Sequence, residues 1–257
     1  WLYNNSKIGF GSIIADDMGL GKTLQVIAFF QKLKDDNLIS SRHRCLVVVP
    51  TGLLINWLKE IEKFAPDLTA EVYHGNSRDI KNFKSDIILT TYGVIRSDAA
   101  KLGKMEWLVT VIDEAQNIKN PKTAQTKAVK SIPSKTRIAM SGTPVENRLL
   151  EFWSIMDFVN KDYLGNTTAF NEAFAFPIQR NNDEETVRKF KKATTPFLLR
   201  RLKTDKSIIT DLPEKIEINQ YATLTKEQAA LYQKTVSEAL ETIEGIEVTD
   251  QKSLFAR

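Results

Sequence analysis

The run Asp16-Asp17-Met18-Gly19-Leu20-Gly21-Lys22-Thr23 constrains the fold of this chain more than any other stretch. Three apolar residues (Ile13, Ile14, Ala15) precede it, and an amphipathic run with Leu24, Val26, Ile27, Phe29 and Phe30 follows. Physically, that is a strand, a glycine-rich turn and a helix. Gly19 and Gly21 let the backbone turn sharply and bring its N–H groups toward an anion. Lys22 offers a cation to β- and γ-phosphates, and Thr23 offers a hydroxyl to Mg²⁺. The helix beginning at Lys22 aims its N-terminus at the same anion. Met18, Gly19, Leu20, Gly21, Lys22 and Thr23 are therefore expected to cradle the phosphates of a nucleoside triphosphate. One residue departs from the full pattern, which asks for Gly where Asp16 stands. Carboxylates at 16 and 17 repel phosphate unless they point away.

Short β-branched runs alternate with helix-period runs along the first 160 residues. Strands are expected at 11–15, 45–49, 70–73, 86–90, 107–112 and 137–140, and helices at 22–33, 53–64, 124–132 and 147–159. In the second helix Leu54, Ile55, Leu58, Ile61 and Phe64 recur at helical spacing. Several strands are apolar on both faces, as in a parallel sheet covered by helices. The expected fold class is α/β, a doubly wound layer with ligands at the carboxyl ends of its strands. The pattern changes near residue 160. Residues 161–213 lack clear strands and carry two basic clusters, 188–192 and 200–203, each readable as a DNA-facing patch or as a solvated helix face. A strand is expected at 215–222 and a helix at about 227–243, with Thr225 as N-cap.

Two further constellations lie at strand ends. The strand ending at Ile112 runs into Asp113-Glu114-Ala115-Gln116. Asp113 is placed to hold Mg²⁺ and Glu114 to orient and deprotonate an attacking water; helix capping is the plain alternative. The strand ending at Met140 runs into Ser141-Gly142-Thr143-Pro144. Ser141 and Thr143 can hydrogen-bond the acidic loop and transmit nucleotide state, or simply cap the next helix.

Composition adds bounds. With 257 residues, the chain can bury one substantial core and an appended element. No apolar run approaches the roughly 20 residues that cross a bilayer. The single cysteine, Cys45, excludes an internal disulfide and reads as inert strand packing. A net charge of +4 permits nucleic-acid binding without arguing for it. The chain begins at Trp1, without a signal sequence, and is expected to be an excerpt of a longer polypeptide.

Taken together, the motifs resemble a known family. Asp-Asp-Met-Gly-Leu-Gly-Lys-Thr is followed by Val-Val-Pro-Thr-Gly-Leu-Leu-Ile-Asn-Trp, Thr-Thr-Tyr-Gly, Asp-Glu-Ala-Gln-Asn-Ile-Lys-Asn and Ser-Gly-Thr-Pro-Val-Glu-Asn-Arg. Phe197-Leu198-Leu199-Arg200-Arg201, Leu212-Pro213-Glu214-Lys215 and Leu224-Thr225-Lys226-Glu227-Gln228 complete the series. This strongly resembles the Swi/Snf-type ATPases, the double-stranded-DNA translocase branch of helicase superfamily two, over essentially the whole chain.

The resemblance implies ATP with Mg²⁺ as ligands and a RecA-like fold for lobe one (residues 1–160). It further implies a mainly helical insertion (161–214) and a passage (215–257) toward a second RecA-like lobe of the same polypeptide. That lobe carries the arginine finger, so residues 1–257 alone are expected to hydrolyse ATP very slowly. Pro50, Thr51, Asn56 and Trp57 match one DNA-contacting motif, and Thr90, Thr91 and Tyr92 the next. From the residues alone, Trp57 reads better as a core aromatic and Thr90–Tyr92 as an ordinary strand end. Ser141, Gly142 and Thr143 match the coupling motif. The implied partners are double-stranded DNA and the DNA-bound proteins that such a motor displaces. The implied location is nucleoid-associated cytoplasm in a bacterium or the nucleus in a eukaryote. Gln116, which the resemblance implies among the nucleotide-binding residues, stands where the family usually has His; it can hydrogen-bond the coupling loop but cannot protonate. Asp17 replaces a more usual Glu. Two other readings remain: an RNA- or single-strand-directed helicase, and a nucleotide-gated scaffold without catalysis.

Overall fold

Strand pairing is parallel throughout the sheet that organises this chain. The computed structural model describes residues 1–76, 78–80, 83–142, 148–205, 218 and 220–244. Contacts group the chain into two units, Trp1–Asp211 and Leu212–Arg257.

In the first unit the helical and strand elements run α1 (Leu2–Lys7), β1 (Ser12–Ile14), α2 (Lys22–Asp35), β2 (Arg44–Val49), α3 (Leu54–Phe64), β3 (Ala70–Val72) and β4 (Ile87–Thr91). They continue with α4 (Tyr92–Leu102), β5 (Trp107–Ile112), α5 (Ala124–Ser131), β6 (Ser134–Met140), α6 (Leu149–Val159), α7 (Thr167–Phe170), α8 (Phe176–Asn181), α9 (Glu184–Thr194) and β7 (Leu198–Leu199). The sheet order is β3-β4-β2-β5-β6-β1-β7. This is a RecA-like α/β layer.

Both faces of the sheet are covered, and the alternation along the strands accounts for it. Leu46, Val48, Ile88 and Ile112 point into one core, with α4, α5 and α6 supplying Ile95, Val129 and Phe152. Cys45, Val47, Val49, Leu89 and Val111 point into the other, with Val26, Phe30, Trp57 and Ile61 of α2 and α3. Successive residues face opposite ways, so a strand buried on both sides must be apolar at every position. Burial also pushes the Cys45 thiol far up, with the charge of Asp86 adding to it, so the thiol is inert.

Three differences from the sequence reading have physical reasons. α4 replaces a loop: the Thr91 hydroxyl accepts from the Val94 N–H at 3.3 Å and starts it, but Gly93 and a non-helical Asp98 disguise its period. β7 lies in the stretch expected to lack strands; its two residues are too short to show alternation. Of the strand expected at 215–222, positions 215–217 and 219 lie outside the described residues, and Ile218 and residues 220–222 form no strand. The second unit's described part continues through residues 223–225 into helix α10 (Lys226–Glu244). Thr225 caps it as expected: its hydroxyl accepts from the Gln228 N–H (3.2 Å), and the Gln228 side chain accepts from the Thr225 N–H (3.0 Å). Among the described residues, no helix is long and apolar enough to cross a membrane.

Candidate nucleotide site and its coupling loop

β1, β2, β4, β5 and β6 run parallel, so their carboxyl ends lie along one side of the sheet, and the motifs at residues 16–23, 50–57, 90–93, 113–116 and 141–142 follow or end them. After β1 the loop turns through Gly19 (φ 82°) and Gly21 (φ 70°), both in the left-handed region that a side chain disfavours. Gly21 is the N-cap of α2. Lys22 Nζ donates to the carbonyls of Asp16 (2.7 Å) and Asp17 (3.1 Å), within the loop it belongs to.

The departure at Asp16 is resolved by direction. Asp16 is fully buried and turned away from the loop's concave side, toward Arg201. Gln25 of α2 also donates to it, at 3.2 Å. Burial alone would raise this carboxyl; the Arg201 and Gln25 side chains and the Arg201 N–H outweigh it and hold the pKa below the ordinary 3.8. Asp17 in turn accepts the Lys203 N–H at 3.0 Å. Neither carboxylate is left to face a phosphate. The 200–203 cluster thus holds the loop through Arg201 and Lys203.

A cleft of about 360 Å³ joins the loop to the acidic motif; Gly19, Gly21, Lys22, Thr23, Asp113 and Glu114 line it, together with Met18, Asn56, Trp57 and Glu60. Asp113 is nearly buried; it accepts the Trp57 indole N–H at 3.0 Å and the Glu114 N–H at 2.8 Å. Burial raises its pKa, and the Glu114 charge adds to this, against the Trp57 and Glu114 N–H groups and the charge of Lys22. Glu60, absent from the sequence reading, faces the same cleft; burial and then Asp113 raise its pKa. For a divalent cation the cleft offers the Thr23 hydroxyl and the Asp113 carboxylate. No cluster of three or more His, Cys, Asp or Glu stands ready for a metal among the described residues. That sparse donor set fits Mg²⁺, which completes its shell with phosphate oxygens and water.

Glu114 adopts φ 52°, ψ 58°, a strained backbone for a non-glycine residue and one common at functional sites. Its carboxylate accepts from Gln116 Nε2 at 2.8 Å, and Gln116 Oε1 accepts from the Ser141 hydroxyl at 3.1 Å. A hydrogen-bonded chain therefore runs from the loop after β6 to the acid after β5. Gln116 and Leu20, expected to bind the nucleotide, are not among the residues lining the cleft. Gln116 is engaged in this chain instead. Gly142 lies against Met18: a Cβ there would meet the Met18 side chain at 3.3 Å. Thr143 lies outside the described residues.

The residues matched to DNA contacts divide. Thr51 and Asn56 are exposed and Pro50 is half-buried. Trp57, Thr90, Thr91 and Tyr92 are buried, and their side chains are engaged within the protein. Trp57 bonds Asp113, Thr90 donates to the Tyr73 carbonyl (2.9 Å), Thr91 caps α4, and the Tyr92 hydroxyl donates to the Asp113 carbonyl (2.6 Å). In the 188–192 cluster, Lys189 pairs with Glu185 on the exposed face of α9 (2.7 Å), while Phe190 packs on Phe152.

Residues 1–256 match the family model described as the SNF2-related domain. YwqA of Bacillus subtilis (strain 168), whose name places it among ATP-dependent helicases and translocases, is 39% identical over 99% of this chain and 28% of its own length. The TATA-binding protein-associated factor MOT1 of Saccharomyces cerevisiae is 36% identical over 98% of this chain and 15% of its own. The solved SWI2/SNF2 ATPase core of Sulfolobus solfataricus in complex with double-stranded DNA superposes with a TM-score of 0.76 at 46% identity, over 98% of this chain and 53% of that one. The chain thus spans between a seventh and under a third of these curated relatives, and about half of that solved core. Matched by that family model over residues 1–256, this chain belongs to the SNF2 family.

Proposed function

We propose that this chain is the ATP-binding lobe of a motor that travels along double-stranded DNA and displaces or remodels the proteins bound there. The observation that carries the reading is the Ser141–Gln116–Glu114 chain, which ends on the cleft shared with Lys22, Thr23 and Asp113. It ties Glu114, the water-activating acid of this reading, to a loop whose Gly142 lies against Met18 of the glycine-rich loop. In this mechanism Lys22 leaves the carbonyls of Asp16 and Asp17 for the phosphates. Thr23 and Asp113 hold Mg²⁺, which neutralises phosphate charge when bound. Glu114, kept in place by Gln116, orients a water toward the terminal phosphate and takes its proton. Thr51 and Asn56, both exposed and next to the turn at Pro50, would hold a DNA backbone through hydroxyl and N–H groups without regard to sequence.

The double-stranded DNA in the solved relative and the translocase name of YwqA support this reading. We further infer a second RecA-like lobe in the same polypeptide, residues 161–214 as an insertion and 215–257 as the passage between lobes. The site of action follows the genome: nucleoid in a bacterium, nucleus in a eukaryote.

ATP hydrolysis by the full-length protein, measured with duplex DNA, single-stranded DNA and RNA, tests the reading. Duplex DNA is expected to stimulate most, and Glu114→Gln to abolish turnover while preserving ATP binding. Stronger stimulation by RNA or single strands would transfer the protein to the strand-separating helicases. Undiminished hydrolysis by Glu114→Gln would overturn the catalytic assignment.

A further inference from the structure

Residues 198–203 form a strap beside β1 and the phosphate loop. Leu198 and Leu199 pair with Ile13 and Ile14, and the pairing then continues bond by bond past the end of the strand. The Ala15 N–H donates to the Leu199 carbonyl (2.7 Å), the Arg201 N–H to the Asp16 carboxylate (2.8 Å), the Asp17 N–H to the Arg201 carbonyl (3.1 Å) and the Lys203 N–H to the Asp17 carboxylate (3.0 Å). The backbone of Lys203 is thereby fixed beside the loop. Its side chain reaches over it: a Cβ on Gly19 would sit 3.1 Å from the Lys203 ammonium nitrogen and 3.5 Å from its Cε.

We propose that Lys203 is a second cation for the bound triphosphate, delivered by the strap and separate from Lys22. The proposal rests on the ATP reading above. Lys22 rises from the first turn of α2, whereas Lys203 comes to Gly19 from the neighbouring segment, so the two ammonium groups reach the loop by different routes. An ammonium beside a phosphate-cradling glycine adds a charge-assisted hydrogen bond to the anion. The strap itself does not need that amine. It is held by backbone groups and by the Arg201 guanidinium, so removing the Lys203 side chain leaves it in place.

Titration of the full-length protein with fluorescent mant-ATP and mant-ADP tests this, using wild type, Lys203→Ala, Lys203→Arg and Lys22→Ala, each with its thermal midpoint. Lys203→Ala is expected to weaken mant-ATP about tenfold and mant-ADP less, since ATP carries more charge. The midpoint stays unchanged, and Lys203→Arg restores affinity to within about twofold. Unaltered ATP affinity in Lys203→Ala, with binding lost in Lys22→Ala, overturns the proposal and leaves the ATP site standing. An equal loss for both nucleotides with a lowered midpoint reduces Lys203 to a structural part of the strap and overturns it too. Failure of the wild type to bind either nucleotide removes both readings.

Discussion

Arg201 closes on Asp16 from 185 positions downstream. Two nitrogens of its guanidinium donate to one carboxylate oxygen, at 2.5 and 3.1 Å, and its N–H donates to the other at 2.8 Å. Asp16 is wholly buried, while the Arg201 side chain is 36% exposed. The first residue of the glycine-rich loop is therefore anchored to the segment that follows α9 and β7.

Breaking that pair from the Arg201 side leaves a buried carboxylate without its counter-charge. Arg201→Met is expected to lower the unfolding free energy by about 2 kcal/mol, below the figure for a fully buried pair because the guanidinium is part-solvated. Adding Asp16→Asn should recover most of the loss, since Asn no longer demands a cation. The sign with pH follows from the depressed pKa of Asp16. Its contribution is whole above the unfolded value of 3.8 and disappears as the pH falls through the folded value. Urea titrations of wild type and Arg201→Met should hold a constant gap above about pH 5 and converge in strong acid.

Asp113 has the opposite balance. Burial, with Glu114 beside it, raises its carboxyl, so the stability linked to it is full below the unfolded value and is lost as the pH rises through the folded one. At neutral pH the charge is a cost. Asp113→Asn is expected to stabilise the fold by about 1 kcal/mol at pH 7, with the gain shrinking as the pH falls toward 4. Hydrolysis should fall at least a hundredfold in the same variant. A lowered unfolding midpoint at pH 7 would contradict the assigned electrostatics.

The fold was legible because its strands are buried on both faces and therefore apolar throughout. β5 has the bounds its sequence indicates, and β2 and β4 differ by a residue at their ends. The glycine-rich turn between β1 and α2 was legible because Gly19 and Gly21, both with positive φ, stand between an apolar strand and an amphipathic helix. The partners of Asp16 were not. Arg201 reaches it only because two leucines, too few to show a period, add β7 beside β1. Likewise nothing local marks Glu60 as facing Asp113, because that contact depends on how α3 packs on the sheet. The internal bonds of Trp57, Thr90, Thr91 and Tyr92 were not legible either, because each partner comes from a different stretch of chain or from a helix start that the sequence disguises.

Gln116 lies between the Ser141 hydroxyl and the Glu114 carboxylate and bonds both. Gln116→Leu preserves bulk and removes both bonds. Glu114 then loses the donor that fixes its carboxylate, and a misplaced base lowers the chemical step rather than binding. Steady-state kinetics with duplex DNA should show kcat reduced about thirtyfold with KM for ATP within twofold. A change in KM alone would mean that Gln116 acts on nucleotide binding.

Gly11 tests the packing behind the site. It precedes β1, and Asn160, at the end of α6, clamps it by accepting its N–H at 2.8 Å and donating to its carbonyl at 3.4 Å. A Cβ at this position would overlap the carbonyl oxygens of Arg137 and Val159, both backbone atoms of elements packed against β1. Backbone cannot rotate aside as a side chain can, so β1 itself would have to shift relative to β6 and α6. Gly11→Ala is accordingly expected to cost about 3 kcal/mol, read as a lowered urea midpoint. Because β1 leads directly into the phosphate loop, ATP affinity should fall in parallel, though residue 11 lies at the opposite end of the strand. Asn160→Leu, which removes the clamp without the overlap, should cost about half as much. A midpoint for Gly11→Ala equal to that of wild type would show that β1 has room to move, and the close approach at its start would then constrain nothing.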